Sequence, residues 1–352
     1  MTDTMVETDP LHLNNKGRLP RWASPAIAAG CAVVLLAVFA VTPAEGRADY
    51  IVTLAVLFLI VQFSVSYVVE GVRKARDRLA SAAAVTGLFL ALLPLVAILG
   101  FTIVKGMHRF DADFLSHSMR NVAESDVGGG AYHAIIGTLE QVGIASLFSV
   151  PLGLLVSIYL VEYGGGRRFA RLVSTFVDVM TGLPSIIAGL FILSFWGLVL
   201  HHGFSGFAGA LALTVIMLPV VVRTTEEMLR LVPAALREAS FALGVRKWRT
   251  VLSIVLPTAL AGITTGVMLA VARVIGETAP VLLTVFGTAS INMNPFSGPQ
   301  ESLPLFVFSE AGQPNNTAVD RAWSGALTLI ILVLVLTTAA RLLTRRSALR
   351  GR

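Results

Sequence analysis

Residues 223–257 read RTTEEMLRLVPAALREASFALGVRKWRTVLSIVLP and lie between two apolar runs, 205–222 and 258–286. Pro233 suits the first turn of a helix, where its missing N–H costs nothing. The stretch 234–243 consists of good helix formers, and Gly244 supplies a left-handed stop. A second helix is expected from about 246 until Pro257 opens the next apolar run. The segment is thus a short, partly apolar helix held at one membrane face by two spans. Taken alone, it would also serve as an amphipathic connector in the headgroup zone, where its basic residues are favoured.

The flanking runs are two of many. A bilayer core needs roughly 20 mainly apolar residues per helix. Eight stretches qualify: about 25–43, 50–69, 82–104, 134–161, 173–200, 205–222, 258–286 and 322–343. Composition agrees, with 55% hydrophobic and only 14% charged residues against about 25% charged in soluble domains. That excludes a water-soluble enzyme and a disordered tail protein, and the single Cys31 excludes a disulfide scaffold. Arg18 and Arg21 ahead of the first run also fit a signal peptide, but Thr42-Pro43-Ala44-Glu45 offers no small-x-small cleavage site. It reads as a retained span. The expected fold is an all-α integral membrane protein of about eight transmembrane helices.

The basic residues segregate between the loops. Of 27 Lys and Arg, 21 fall in the N-terminal segment, the loops after spans two, four and six, and the C-terminal tail. Arg47, Lys105, Arg109, Arg120 and Arg321 occupy the opposite side, and Arg273 is left over inside span seven. The positive-inside rule then places both termini in the cytoplasm. The net charge of +6 is accounted for by membrane topology, with no call for nucleic acid.

Span seven carries two charges, Arg273 and Glu277, four apart and hence on one face if the helix is continuous. Each costs about 2.5–3.5 kcal/mol at membrane depth on insertion scales. One reading is a self-neutralising pair. The other is a guanidinium fork offered to an oxyanion, with Glu277 holding Arg273 in the absence of substrate. Gly276 and Pro280 would loosen the helix there, and Gly262 and Gly266 form a small-xxx-small face for close helix packing. Arg223, at the end of span six, either snorkels to the cytoplasm or lines the inner mouth of a path.

The spacing Glu238-Ala239-Ser240, three residues, Gly244, nine residues, Ile254-x-Leu256-Pro257 resembles the Glu-Ala-Ala loop of binding-protein-dependent ABC importer permeases. Ser240 replaces the second alanine. Ala134-Ile-Ile-Gly-Thr-Leu139, Val150-Pro-Leu-Gly153, Ile158-Tyr-Leu-Val-Glu162, Gly182-Leu-Pro-Ser-Ile-Ile-Ala-Gly189 and Ala272-Arg-Val-Ile-Gly-Glu-Thr-Ala-Pro280 extend the likeness over about 82–343. They resemble the PstA-type permease subunits of phosphate-specific ABC importers. Glu277-Thr-Ala-Pro280 favours that type over the related PstC-type subunit.

The resemblance implies a six-span permease core, with the N-terminal two-helix hairpin as an addition. It divides the chain into a cytoplasmic segment 1–23, an accessory hairpin with a basic loop 24–80, a core 81–343 containing the coupling loop 223–257, and a basic tail 344–352. It implies a prokaryotic plasma-membrane location and a pore shared with a PstC-type subunit. It also implies a cytoplasmic ATPase dimer that receives the loop through Glu238, Ala239, Ser240 and Gly244, and an extracytoplasmic phosphate-binding protein. The long segments 105–133 and 287–321 lie on the outer side and are either a docking surface for such a partner or plain connectors. Arg273, Glu277 and Arg223 are the expected substrate-path residues.

The chain itself has no Gly-Lys dipeptide and so no P-loop. Zinc-type His-Glu-x-x-His and G-x-S-x-G patterns are absent, so neither enzyme activity nor a cofactor is expected. A permease for another oxyanion, sulfate or molybdate, and the PstC-type subunit are the alternatives.

Overall fold

The computed structural model describes residues 19–20, 22–41, 47–123 and 125–350. Apart from Leu19, Pro20, Trp22 and Ala23, the expected N-terminal segment with Lys16, Arg18 and Arg21 lies outside them, as does Arg352. Also outside are the side chains of Arg345, Arg346 and Arg350.

Two compact units divide at Leu99/Gly100. The first contains α1 (Ala23–Val41), α2 (Arg47–Glu70) and most of α3 (Val72–Gly106). Gly71, at φ 86°, turns α2 directly into α3. The expected basic loop 70–80 is therefore helix, with Arg73, Lys74, Arg76 and Arg78 on the first turns of α3. A left-handed glycine links two helices in one residue, so no loop is needed. Arg78 pairs with buried Glu70 at 2.5 Å, and Glu70 also accepts the Leu19 N–H at 2.8 Å.

The second unit contains α4 (Ala112–Ser116), α5 (Tyr132–Ile158), α6 (Arg168–Thr181), α7 (Ser185–Ile192), α8 (Gly206–Arg230), α9 (Ala234–Ala242) and α10 (Lys247–Thr250). After these come α11 (Leu256–Val274), α12 (Ala279–Val285), α13 (Leu303–Ala311) and α14 (Asn316–Arg350). π-helical turns extend α5 (Tyr159–Tyr163) and α7 (Leu193–Val199) and join α10 to α11 (Val251–Val255). Helix thus runs through Pro257 instead of restarting there. Pro257 removes one backbone donor and crowds the carbonyl four residues back, and the wider π turn lies where that crowding falls.

α8 is the central helix, packed on α5, α6, α7, α11 and α12. Its Leu213, Met217 and Val221 share a core with Val142 and Ala145 of α5, Ala270 and Val274 of α11, and Val281 and Val285 of α12. Small residues permit the approach: a Cβ on Gly153 would lie 2.6 Å from Val221, and one on Gly266 2.7 Å from Thr224. Gly262 faces Met228 in the same way, so the small-xxx-small face of α11 rests on α8.

Among the described residues six helices are long and apolar enough to cross a membrane: Asp49–Glu70, Val72–Gly106, Tyr132–Tyr163, Gly206–Arg230, Lys247–Val274 and Asn316–Leu342. The chain is a multi-pass membrane protein. Ala23–Val38 is a shorter apolar helix. The expected span 173–200 is not straight, because Arg168–Thr181 and Ser185–Val199 meet at 104°. Gly182 caps α6, and Pro184, extended at φ −57° and ψ 136°, cannot continue it.

Candidate functional site

A second break lies across from that bend. α11 stops at Val274, Ile275 and Gly276 form a turn, and helix resumes at Ala279 with Pro280 in its first turn. Arg273 therefore sits in the last turn of α11, where a cation is favoured by the helix end, and Glu277 lies beyond it. The continuous face that would have paired them does not exist. Among the described residues no ion pair joins Arg273 to Glu277 or to any other carboxylate.

The two breaks share a cavity. Met180, Thr181 and Leu183 line it from the α6–α7 bend, Ile216, Pro219 and Val220 from α8, and Arg273 from the end of α11. Its volume of about 20 Å³ holds about one water. Arg273 is its one charged lining residue and is itself exposed. Irregular backbone at membrane depth is tolerated where it lines a cavity or is buried in protein. α7 and α12 meet closely alongside, a Cβ on Gly189 falling 2.7 Å from the Cα of Pro280.

Arg223 is paired across helices. α8 continues past it to Arg230, and its guanidinium donates to the Ser174 carbonyl (2.8 Å), Ser174 Oγ (2.9 Å) and Asp178 Oδ1 (2.5 Å) of α6. Glu226, buried one turn along, accepts from both Arg223 and Arg230. Val220 and Thr181 line the cavity, and Arg223 and Asp178 lie about one turn from them toward the α9 end of the bundle. Arg223 is thus a tie between α6 and α8. The Arg223–Glu226–Arg230 spacing carried a readable signal for half of this network; Asp178 and Ser174, on another helix, carried none.

At that end of the bundle, α9 follows Pro233, which stands just before the helix, and stops where Gly244 adopts φ +75°. The Gly244 N–H donates to the Phe241 carbonyl (2.9 Å) and the Val245 N–H to that of Ser240 (3.2 Å), a Schellman closure. Glu238, Ala239 and Gly244 are exposed, with Leu236, Phe241 and Leu243 beside them; Leu243 is 83% exposed. Ser240 is buried instead, its Oγ 2.8 Å from Thr250 Oγ1 of α10. Its hydroxyl holds α9 against α10, a bond alanine could not make.

Residues 149–350 match the family described as the binding-protein-dependent transport system inner membrane component. The chain belongs to that family. It is a transport permease subunit, not an enzyme. The phosphate transport system permease protein PstA 1 of Mycobacterium tuberculosis is 47% identical over 272 residues, 77% of this chain and 88% of its own length. PstA of Mycobacterium leprae is 47% identical over 74% of this chain and 86% of its own, and PstA of Haemophilus influenzae 38% over 77% and 94%. Among solved structures, a chain of the inward-facing MetNI methionine ABC transporter aligns at TM-score 0.49 and 21% identity, over 62% of this permease and 94% of that chain. The family match includes the α6–α7 bend, Arg223, α9 and Arg273, and it begins after the first unit.

Proposed function

We propose that this permease is the PstA-type subunit of an ATP-driven phosphate importer in a prokaryotic plasma membrane, with both termini cytoplasmic. It forms half of a pore whose other half is a related PstC-type permease. A cytoplasmic ATPase dimer engages the exposed face of α9, at Glu238, Ala239 and Gly244. An extracytoplasmic phosphate-binding protein delivers substrate at the opposite end. The likeness to PstA permeases over most of both chains supports the substrate class.

One observation carries the path: Arg273, at a helix break, lines a recess without a carboxylate partner among the described residues. Its planar fork suits two phosphate oxygens, and a charge-assisted bond there is about twice as strong as a neutral one. Glu277, half-buried just beyond the break, stands where its charge tempers retention of the anion. ATP-driven movement of α9 alternates the access of this site to the two membrane faces. Arg223 closes α6 onto α8 on the α9 side of the recess, so it is placed at the exit.

The test is uptake of radiolabelled phosphate by cells that lack this permease and retain its partners. Wild type restores uptake; equally abundant Arg273→Gln lowers it roughly 10- to 100-fold, the value of a charge-assisted bond; Arg273→Lys keeps a measurable part. Equal uptake by wild type and Arg273→Gln removes Arg273 from the path. Uptake suppressed by unlabelled sulfate or molybdate as well as by phosphate overturns the substrate assignment.

A further inference from the structure

Covalent links to α9 are short and non-helical: Leu231–Val232–Pro233 on one side, and Gly244 with Val245 and Arg246 on the other. A force on the exposed face would swivel such a helix before it moved the bundle. Arg237 opposes that motion. From the middle of α9 its Nε and Nη2 donate to Glu162 Oε1 (2.9 and 2.8 Å), beyond the end of α5. Its Nη1 reaches the Val232 carbonyl (2.6 Å) and its Nη2 the Leu229 carbonyl (2.9 Å), at the end of α8. The Glu162 side chain is 5% exposed and that of Arg237 18%, so water competes weakly for the pair.

We propose that Arg237 is a positioning residue for energy coupling: a strut that makes α9, α5 and α8 move as one body. This rests on the transport reading above and adds to it the route by which the push leaves α9. The placement of the anchor points supports it. Glu162 lies in the π-helical turn Tyr159–Tyr163, and Thr250, which holds Ser240, stands directly before the π turn Val251–Val255. π turns are rare and concentrate at functional positions. α9 therefore grips two helices at their least regular turns, where winding changes most easily. If the pair served the fold alone, its loss would lower the amount of assembled transporter, and each assembled complex would still couple normally.

The complete transporter with its ATPase and binding protein, in proteoliposomes, gives the deciding quantity: phosphate moved per ATP hydrolysed. Arg237→Gln should lower that ratio about fivefold or more while ATP hydrolysis continues, and Glu162→Gln should do the same. An unchanged ratio, with both rates falling in step with assembled protein, overturns the strut. Should Arg237→Gln fail to assemble, Glu162→Cys/Arg237→Cys decides in a Cys31→Ser background, Cys31 being the chain's one cysteine. Re-tying the two helices with a bifunctional thiol reagent restores the ratio if the strut transmits the push; a crosslinked complex that hydrolyses ATP at the low ratio overturns it. A wild-type complex that carries sulfate in place of phosphate defeats the substrate reading alone, because the ratio is then measured on sulfate.

Discussion

Arg273 and Arg321 are both arginines in long apolar helices, and their surroundings are opposite. Arg321 of α14 is fully buried, its Nε 2.7 Å from Glu310 Oε2 of α13 and its Nη1 2.7 Å from the Asp126 carbonyl. It fastens the segment before α5 to the α13–α14 hairpin. Arg273 is exposed at a helix break and has no carboxylate partner among the described residues. A charge costs about 2.5–3.5 kcal/mol at membrane depth, and burial in protein at the start of a span is costly too unless the charge is paired. At Arg321 the chain supplies the partner itself; at Arg273 it supplies no carboxylate among the described residues. A cation with an internal partner holds structure, and one without is free to meet a ligand, which is the role proposed above for Arg273.

The comparison breaks first at Arg321. Arg321→Met leaves Glu310 buried without its cation, and removing one partner of a buried pair costs about 3–5 kcal/mol. Arg321→Met/Glu310→Leu should recover most of that loss, because two apolar groups need no pairing. Thermal unfolding in detergent and abundance in the membrane measure both. A single variant as stable as wild type would show that Arg321 does not fasten this end.

The converse experiment gives Arg273 the partner it lacks. Val220 lines the same cavity, and Val220→Glu places a carboxylate beside the guanidinium. The pair should leave stability nearly unchanged and lower phosphate uptake roughly 10- to 100-fold, since substrate must then displace a charge-assisted bond of about 1.5–3 kcal/mol. Val220→Gln separates charge from bulk: it should lower uptake much less. Equal losses in the two variants would mean that the cavity matters by shape and not by the charge of Arg273.

Local signals made some of this legible from the amino acids alone. The apolar runs gave the membrane class, and Pro233 and Gly244 gave both ends of α9, because caps act within a few residues. The break after Val274 was half-legible: Gly276 and Pro280 marked it, but the four-residue spacing of Arg273 and Glu277 favoured a continuous helix that the structure does not have. The α6–α7 bend was hidden because hydropathy over 173–200 is high on both sides of Pro184, and hydropathy carries no direction. The ties from Arg223 to Asp178 and from Arg237 to Glu162 join residues 45 and 75 apart, beyond any local pattern. Ser240 was visible as a departure from alanine; its reason, Thr250, needed the fold.

Glu301 extends the comparison to an anion and carries the smallest expected effect. It is buried between α12 and α13, its Oε2 accepting the Thr288 N–H and its Oε1 the Ser302 N–H, both at 3.1 Å. No cation pairs with it among the described residues. Burial first of all, and then the nearby Glu310 charge, push its carboxyl from 4.5 up to about 7, the two amide bonds only partly opposing them. Glu310 is itself paired with Arg321. A carboxyl whose folded value lies above its unfolded value favours the folded state while protonated. The attachment of segment 286–302 is therefore strongest below about pH 4.5, weakens as pH rises toward 7, and levels off above it. Between pH 6 and 8 the change should be about 1 kcal/mol, read as faster hydrogen exchange at Thr288 and Ser302 after correction for intrinsic rate. Glu301→Gln removes the carboxyl and should flatten the profile, leaving exchange at both amides nearly independent of pH. A slope that survives in Glu301→Gln would place its source in another group and remove Glu301 from the pH response.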